Sequence, residues 1–220
     1  LQQLVIIGAG GFGRELLKLI RDIQLSGHIE LDVLGFVDPL GVGESVHQLQ
    51  VLGDDHWALS QLDTDIRFVI ASGSSITRKK IAEKFEGAGF QSLELIHPSV
   101  SISPYIQIGK GTIICEGCIL TTDIQVGRYT VLNLHTTLGH DVVIEDFVTV
   151  APGVNISGSV HIGALSEIGT GATILPGLSL GEACILGAGG VATKNLEGHR
   201  KYVGVPAKLL ETPFDKPSSE

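Results

Sequence analysis

The sequence predicts an α/β unit followed by an all-β one: a small Rossmann-like parallel βαβ domain over residues 1–95, a parallel β-helix over 96–210, and a flexible tail over 211–220. Three observations predict it. Apolar runs alternate with amphipathic stretches in the first part. A large aliphatic residue recurs at every sixth position in the second. The chain also carries 29 glycines with only 5% aromatic residues, which disfavours a helix bundle and favours close-packed, turn-rich β structure.

In the first part, Leu4–Ile7, Val33–Val37 and Phe68–Ala71 read as buried strands. The stretches around Leu16–Ile23, Trp57–Leu62 and Lys80–Phe85 read as the helices between them. Strands separated by helical patterns imply βαβ units and a parallel sheet. The span is too short for a full six-stranded dinucleotide fold, so a truncated version is expected. Its first turn carries Gly8-x-Gly10-x-x-Gly13 between strand and helix. Glycines there let the backbone approach a pyrophosphate at the positive end of a helix.

In the second part, from Ile96 through Ile102, Ile108 and Ile114 to Leu186, every sixth residue is Ile, Leu or Val. Four positions after each lies a second inward-type site, mostly Val, Thr, Cys, Ala or Ser. A helix cannot produce this period, because its faces repeat at 3.6 residues. A solenoid can: each hexapeptide makes one side of a triangular prism, three make a coil, and coils stack at strand spacing, about 4.8 Å. Gly109, Gly127, Gly139, Gly163, Gly169, Gly181 and Gly187 directly follow the aliphatic position. They are expected to take corner backbone angles that side chains resist.

The bulk properties exclude several classes. A net charge of −9 argues against a nucleic-acid partner, which needs a basic face. No apolar run approaches a membrane span and no signal-peptide pattern opens the chain, so a cytoplasmic protein is expected. Cys115 and Cys118 form a lone CxxC with no second ligand pair at zinc spacing. Cys118 and Cys184 fall on the small inward position and read as core.

Hexapeptides such as Ile108-Gly109-Lys110-Gly111-Thr112-Ile113 resemble the hexapeptide-repeat acyltransferases, and the resemblance makes the β-helix left-handed. More narrowly, the chain to about Leu210 is similar to the sialic acid O-acetyltransferase and nucleotide-4-amino-sugar N-acetyltransferase group. The matching pieces are Gly8 to Arg14, Gly35 to Asp38, Ile96 to Ser99, Leu138 to Asp141, Leu186 to Lys194 and Gly204 to Lys208. The resemblance implies transfer of an acetyl group from acetyl-CoA, with no metal, to a nucleotide-linked amino sugar. The acceptor alternative is the hydroxyl of sialic acid or a similar sugar. It also implies a homotrimer with active sites between neighbours.

Acyl transfer from a thioester needs a base, an oxyanion donor and a leaving thiolate. The resemblance makes His140 the base and Asp141 the acid that holds its tautomer. Adjacent residues on a flat strand face opposite ways, so this contact requires a coil corner. Gly158, one coil later, reads either as a bare N–H for the acetyl oxygen or as a plain turn glycine. Thr149, Thr170 and Ala188 fall where relatives contact the cofactor. Lys194 and Lys208 read as phosphate contacts or as ordinary surface charges, and Asn133 as an acceptor-positioning residue. In the first domain, Gly10, Gly11, Phe12, Gly13 and Arg14 are expected at the nucleotide, with Asp38 at ribose or base. Ser72, Gly73 and Arg78 are expected at phosphate or sugar. Two departures from the group's pattern are Thr149 and Phe12, where many relatives carry histidine.

Other histidines read differently. His28, His47, His56 and His199 read as solvated surface, His97 as structural and His161 as an outward surface position. His135 and His140 are spaced like two zinc ligands of the γ-class carbonic anhydrases, but Ser99 stands where the third would fall. A redox enzyme using NAD and a non-catalytic scaffold are the remaining alternatives.

Overall fold

The computed structural model describes residues 1–27 and 29–211; the expectations for His28 and for the tail from residue 212 onward lie outside the described residues. Six strands and three helices open the chain. They are β1 (Gln2–Ile7), α1 (Gly11–Leu25), β2 (Leu31–Val37), β3 (Ser45–Val46), β4 (Leu49–Gly53), α2 (Asp55–Gln61), β5 (Arg67–Ile70), α3 (Ser75–Gly87) and β6 (Gln91–Ser92). The sheet order is β3-β4-β2-β1-β5-β6, parallel except for the β3–β4 hairpin. Leu16, Leu17, Leu19, Ile20 and Ile23 form the buried stripe that seats α1. Helix α2 begins where Asp54 accepts the Trp57 N–H at 2.8 Å, and α3 where Ser74 accepts the Thr77 N–H. The sequence reading expected three strands; β3, β4 and β6 are two to five residues long and carry no separate periodic signal. The chain runs from β1 outward through β2 and β4, then returns to β5 on the other side of β1. The carboxyl ends of β1 and β5 therefore bracket a topological switch point, where open α/β sheets bind ligands.

The remaining chain winds into a left-handed parallel β-helix with three faces. The first face stacks Leu95–Ile96, Ile113–Ile114, Val131–Leu132, Thr149–Val150, Glu167–Ile168 and Ile185–Leu186. The second stacks Ile119–Leu120, Thr137–Leu138, Asn155–Ile156, Thr173–Ile174 and Val191–Ala192. The third stacks Ile106–Ile108, Ile124–Val126, Val143–Ile144, His161–Ile162 and Ser179–Leu180. Partners such as Val131 and Thr149, or Val143 and His161, sit eighteen residues apart. The aliphatic column from Ile114 to Leu186 is buried, as are the small residues four positions on. Buried hydroxyls inside the prism are satisfied by carbonyls: Thr112 donates to Gly127 O, Thr130 to Glu145 O and Ser166 to Gly181 O. Ile102 departs from the expectation. It is 39% exposed, because residues 97–105 form turns instead of a second-face strand in the first coil.

The glycine expectation needs a correction. The left-handed backbone angles belong to the third residue after the inward aliphatic, not the first. Positive φ recurs at Gly111, Gly117, Asp123, Tyr129, His135, Asp141, Phe147 and Gly153, and every sixth residue thereafter to Gly189. From Tyr129 onward the N–H of each such residue donates to the coil below: Tyr129 to Lys110 O, Asp141 to Thr122 O, Ser159 to His140 O. The glycine that directly follows the aliphatic is needed for close approach. A Cβ on Gly139 would fall 2.5 Å from Gly158 N, and one on Gly127 2.5 Å from Asp146 N.

The N-terminal sheet and helices cover one side of this prism. Leu16, Leu19 and Ile23 of α1 share a core with Leu95, Ile113, Cys115 and Val131 of the first face and its corner. Phe68 and Phe85 pack with Tyr129 and Phe147 at the corner between third and first faces; the Tyr129 and Phe147 rings stack at 5.3 Å. Among the described residues, no helix is long and apolar enough to cross a membrane.

Because coils share one column of side chains, Ile162→Ala, at a fully buried site, is expected to cost about 2–5 kcal/mol. Chemical denaturation of the variant checks this.

Candidate active site at a corner of the coil

His140 and Asp141 lie in the turn between Thr137–Leu138 of the second face and Val143–Ile144 of the third. Asp141 is the left-handed residue of that turn, with φ 57°. This reversal brings neighbouring side chains together, and His140 Nδ1 lies 2.7 Å from Asp141 Oδ2. The carboxylate accepts the Nδ1 proton and leaves the Nε2 lone pair facing outward as a base. The backbone beneath is pinned on both sides, since Asp141 N–H donates to Thr122 O and His140 O accepts from Ser159 N–H. The two side chains are 65% and 61% exposed, so a single chain leaves this dyad open to solvent.

Gly158 stacks one coil above the imidazole. A Cβ there would fall 2.5 Å from His140 Nε2 and 2.6 Å from Cε1, so the ring occupies the space that a side chain would need. The Gly158 N–H meets no acceptor among the described residues. The same column continues through Pro176 to Lys194, which is exposed and ends three coils above His140, about 14 Å at strand spacing.

The other expected cofactor residues are not on this corner. Thr170 and Ala188 lie at the corner between first and second faces, Asn133 at the start of that corner two coils below Thr170, and Lys208 on the terminal strand Lys208–Leu209. One chain does not bring them to His140. Thr149 is a correction: its hydroxyl accepts from Arg78 Nη2 at 2.9 Å and donates to Gly73 O at 2.9 Å, so it is engaged by the N-terminal unit. Arg78 is a second correction. It is fully buried and donates to the carbonyls of Ser72, Tyr129, Phe147 and Val148, so it reaches no ligand directly. Burial pushes its guanidinium down to about 10, and the residue stays charged at neutral pH.

At the switch point, Gly8 (φ 107°) ends β1 and Gly10 caps α1, with Gly10 and Gly11 exposed. Gly13 is buried where a Cβ would meet Gly8 O at 2.1 Å, so this glycine serves strand–helix packing. Arg14 is exposed in the first turn of α1, whereas Phe12 packs into the adjoining core. Asp38 accepts the N–H groups of Ala9 and Leu40 at 2.8 and 2.9 Å. The sequence reading missed this bracing role; the signal was an acid at a strand end facing a glycine turn. Ser72 and Gly73 end β5 beside this loop, Ala71 O lying 2.9 Å from the position of a Gly8 Cβ.

Among the described residues, the one set of three potential metal ligands is Asp22, His97 and Glu116; neither His135 nor His140 belongs to it. The Lys18 ammonium already sits between the two acids, at 2.6 and 3.3 Å, so the set is a salt-bridge cluster. His97 also bonds Ser99 at 2.8 Å, the structural role expected of it. The cysteines are free and buried, and burial pushes the Cys115 and Cys184 thiols up to about 12, far from reactive.

Comparison with known proteins follows the same division. Residues 3–85 match the family model described as the PglD N-terminal domain. The chain is 30% identical over 185 residues to a GDP-perosamine N-acetyltransferase of Escherichia coli O157:H7, covering 84% of this chain and 82% of that protein. Among solved structures it is similar to a histidine-to-asparagine variant of perosamine N-acetyltransferase from Caulobacter crescentus in complex with CoA and GDP-perosamine. That match has a TM-score of 0.89 and 28% identity, covering 96% of this chain and 98% of that one. It is also similar to the acetyltransferase domain of PglB from Neisseria gonorrhoeae FA1090 in complex with acetyl coenzyme A. Here the TM-score is 0.87 and the identity 30%, covering 95% and 99% of the two chains.

Gly158→Ala tests the packing of the dyad. The exposed ring can swing away, so the fold is retained while the 2.7 Å contact to Asp141 breaks. Histidine nitrogen resonances are expected to show His140 alone losing its fixed tautomer.

Proposed function

Because this chain belongs to the hexapeptide-repeat acyltransferases, in the nucleotide-amino-sugar N-acetyltransferase group, we propose that it moves an acetyl group from acetyl-CoA to the amine of a nucleotide-linked 4-amino sugar. The observation that carries this reading is the His140–Asp141 contact beneath the uncovered Gly158. Acetyl-CoA supplies an acyl carbonyl activated as a thioester. As the sugar amine attacks that carbonyl, His140 Nε2 takes the ammonium proton. Asp141 holds Nδ1–H and stabilises the imidazolium. The Gly158 N–H faces the carbonyl oxygen as negative charge develops on it. When the tetrahedral centre collapses, the C–S bond breaks and His140 returns the proton to the departing thiolate.

The remaining assignments are part of the same proposal. Residues 1–95 act as the nucleotide-sugar unit and 96–210 as the acyltransferase unit. Lys194, three coils above the base, meets a phosphate of the cofactor; that rise suits an extended pantetheine arm. Gly10, Gly11, Arg14, Ser72 and Gly73 take the nucleotide at the switch point. The working form is a homotrimer, because the N-terminal unit covers the first face and His140 stands at the opposite vertex. A nucleotide sugar on one chain then reaches the His140 of a neighbour. Thr170, Ala188 and Asn133, at a different vertex, join the site across the same interface. A cytoplasmic location accords with three free cysteines.

Purified protein with acetyl-CoA and a panel of UDP-, dTDP- and GDP-4-amino sugars, against free sialic acid, tests the reading. Turnover of one amino sugar is expected, and His140→Ala is expected to lower it by about 10²–10⁴-fold. Turnover of sialic acid alone, or an unimpaired His140→Ala variant, would contradict it.

A further inference from the structure

We propose that Arg78 and Thr149 are positioning residues that lock the Ser72–Gly73 loop, and with it the nucleotide site, onto the β-helix. The inference rests on the reading of that loop as part of the nucleotide-sugar site. Arg78 sits in the first turns of α3 yet is 0% exposed, and its three nitrogens are all used. Nε donates to Tyr129 O at 2.6 Å, Nη1 to Ser72 O at 2.8 Å, and Nη2 to Phe147 O, Val148 O and Thr149 Oγ1 at 2.9, 3.1 and 2.9 Å. Its acceptors come from two successive coils and from the loop. A buried cation is costly unless hydrogen-bonded throughout, and these acceptors meet that need. Lysine, with a compact ammonium, could not span acceptors on both units in one plane.

Thr149 completes the lock. Its hydroxyl takes a hydrogen bond from Arg78 and passes its own proton to Gly73 O. Two consecutive carbonyls of the loop, Ser72 and Gly73, are thus captured on the side of the β-helix. In trans peptides the N–H of the next residue points the opposite way. Gly73 N–H and Ser74 N–H are therefore turned outward from the clamp, and neither meets an acceptor among the described residues. Ser75 adds a third tie, with Oγ 3.0 Å from Glu167 Oε1. The clamp fixes both where the loop sits and which of its groups it presents. It acts on the substrate only through the loop, since neither Arg78 nor Thr149 has a free polar atom to offer.

Thr149→Val keeps the shape and removes the bridge, and Thr149→Ser keeps the bridge. GDP, UDP and dTDP are each titrated calorimetrically into wild type and both variants, and KM for acetyl-CoA and melting temperature are measured alongside. For whichever diphosphate wild type binds, Thr149→Val is expected to weaken binding about 10-fold. Thr149→Ser is expected to stay within about twofold, with KM for acetyl-CoA and melting temperature near wild type. Equal affinity in wild type and Thr149→Val would overturn the inference and leave the nucleotide-sugar reading intact. So would a weakening matched by a rise in KM for acetyl-CoA and a lower melting temperature, since that is a general loss of structure. No binding of any of the three by wild type would overturn the reading, and the inference with it.

Discussion

The structure depends on one repeated backbone constraint, a left-handed residue at every corner of the coil. For L-residues this conformation costs on the order of 1–2 kcal/mol. Yet Asp123, Tyr129, His135, Asp141, Phe147, Ser159, Leu165 and Ala183 all adopt it. The cost is offset because the corners from Tyr129 onward donate their N–H to the coil beneath and because the aliphatic column is buried on every turn. Each coil is held by its neighbours, so a corner residue has almost no freedom of position. The His140–Asp141 contact is a by-product of that rigidity: neighbouring residues on a flat strand would diverge.

The second consequence is one of placement. A triangular coil has three faces and three vertices, and the N-terminal sheet covers one face. α1 packs toward the corner of Cys115, and α3 toward the corner of Tyr129 and Phe147. The third vertex stays bare, and the dyad is there. His140 and the Gly8–Gly13 turn of one chain are therefore separated by the body of the prism. On the proposed reading, a reaction that needs both is shared between copies of the chain, and the exposure of the dyad in a single chain accords with that. The Arg78–Thr149 contacts fit that reading, because they leave little play between the two units.

Much of this was legible beforehand. The six-residue aliphatic period is a purely local pattern, and it identified the β-helix and the inward column. The motif Leu138–Asp141 pointed to the His140–Asp141 contact that the structure shows. Three readings went astray for reasons of tertiary packing. The glycines after each aliphatic residue were read as corner residues. The corner in fact falls two positions later, and these glycines answer to the coil above, which no local window contains. Arg78, just after Ser72-Gly73 at a helix start, has the look of a phosphate ligand. Only the docking of α3 against Tyr129 and Phe147 reveals that carbonyls surround it. Thr149 was assigned by analogy with a position that is histidine in relatives, and the clamp uses it differently here. The strands β3, β4 and β6 were too short to show a period.

Subunit mixing tests the central claim most directly. Two variants are made, His140→Ala and Gly10→Asp; the second places a carboxylate at the nucleotide crevice, where a side chain has open space. Each alone is inactive on this account. Co-expressed in equal amounts as mixed trimers, they are predicted to regain about a quarter of wild-type activity, the fraction of shared sites that draw both intact halves. Mixed assemblies as inactive as either parent would mean that base and nucleotide crevice serve the same chain, which contradicts the account.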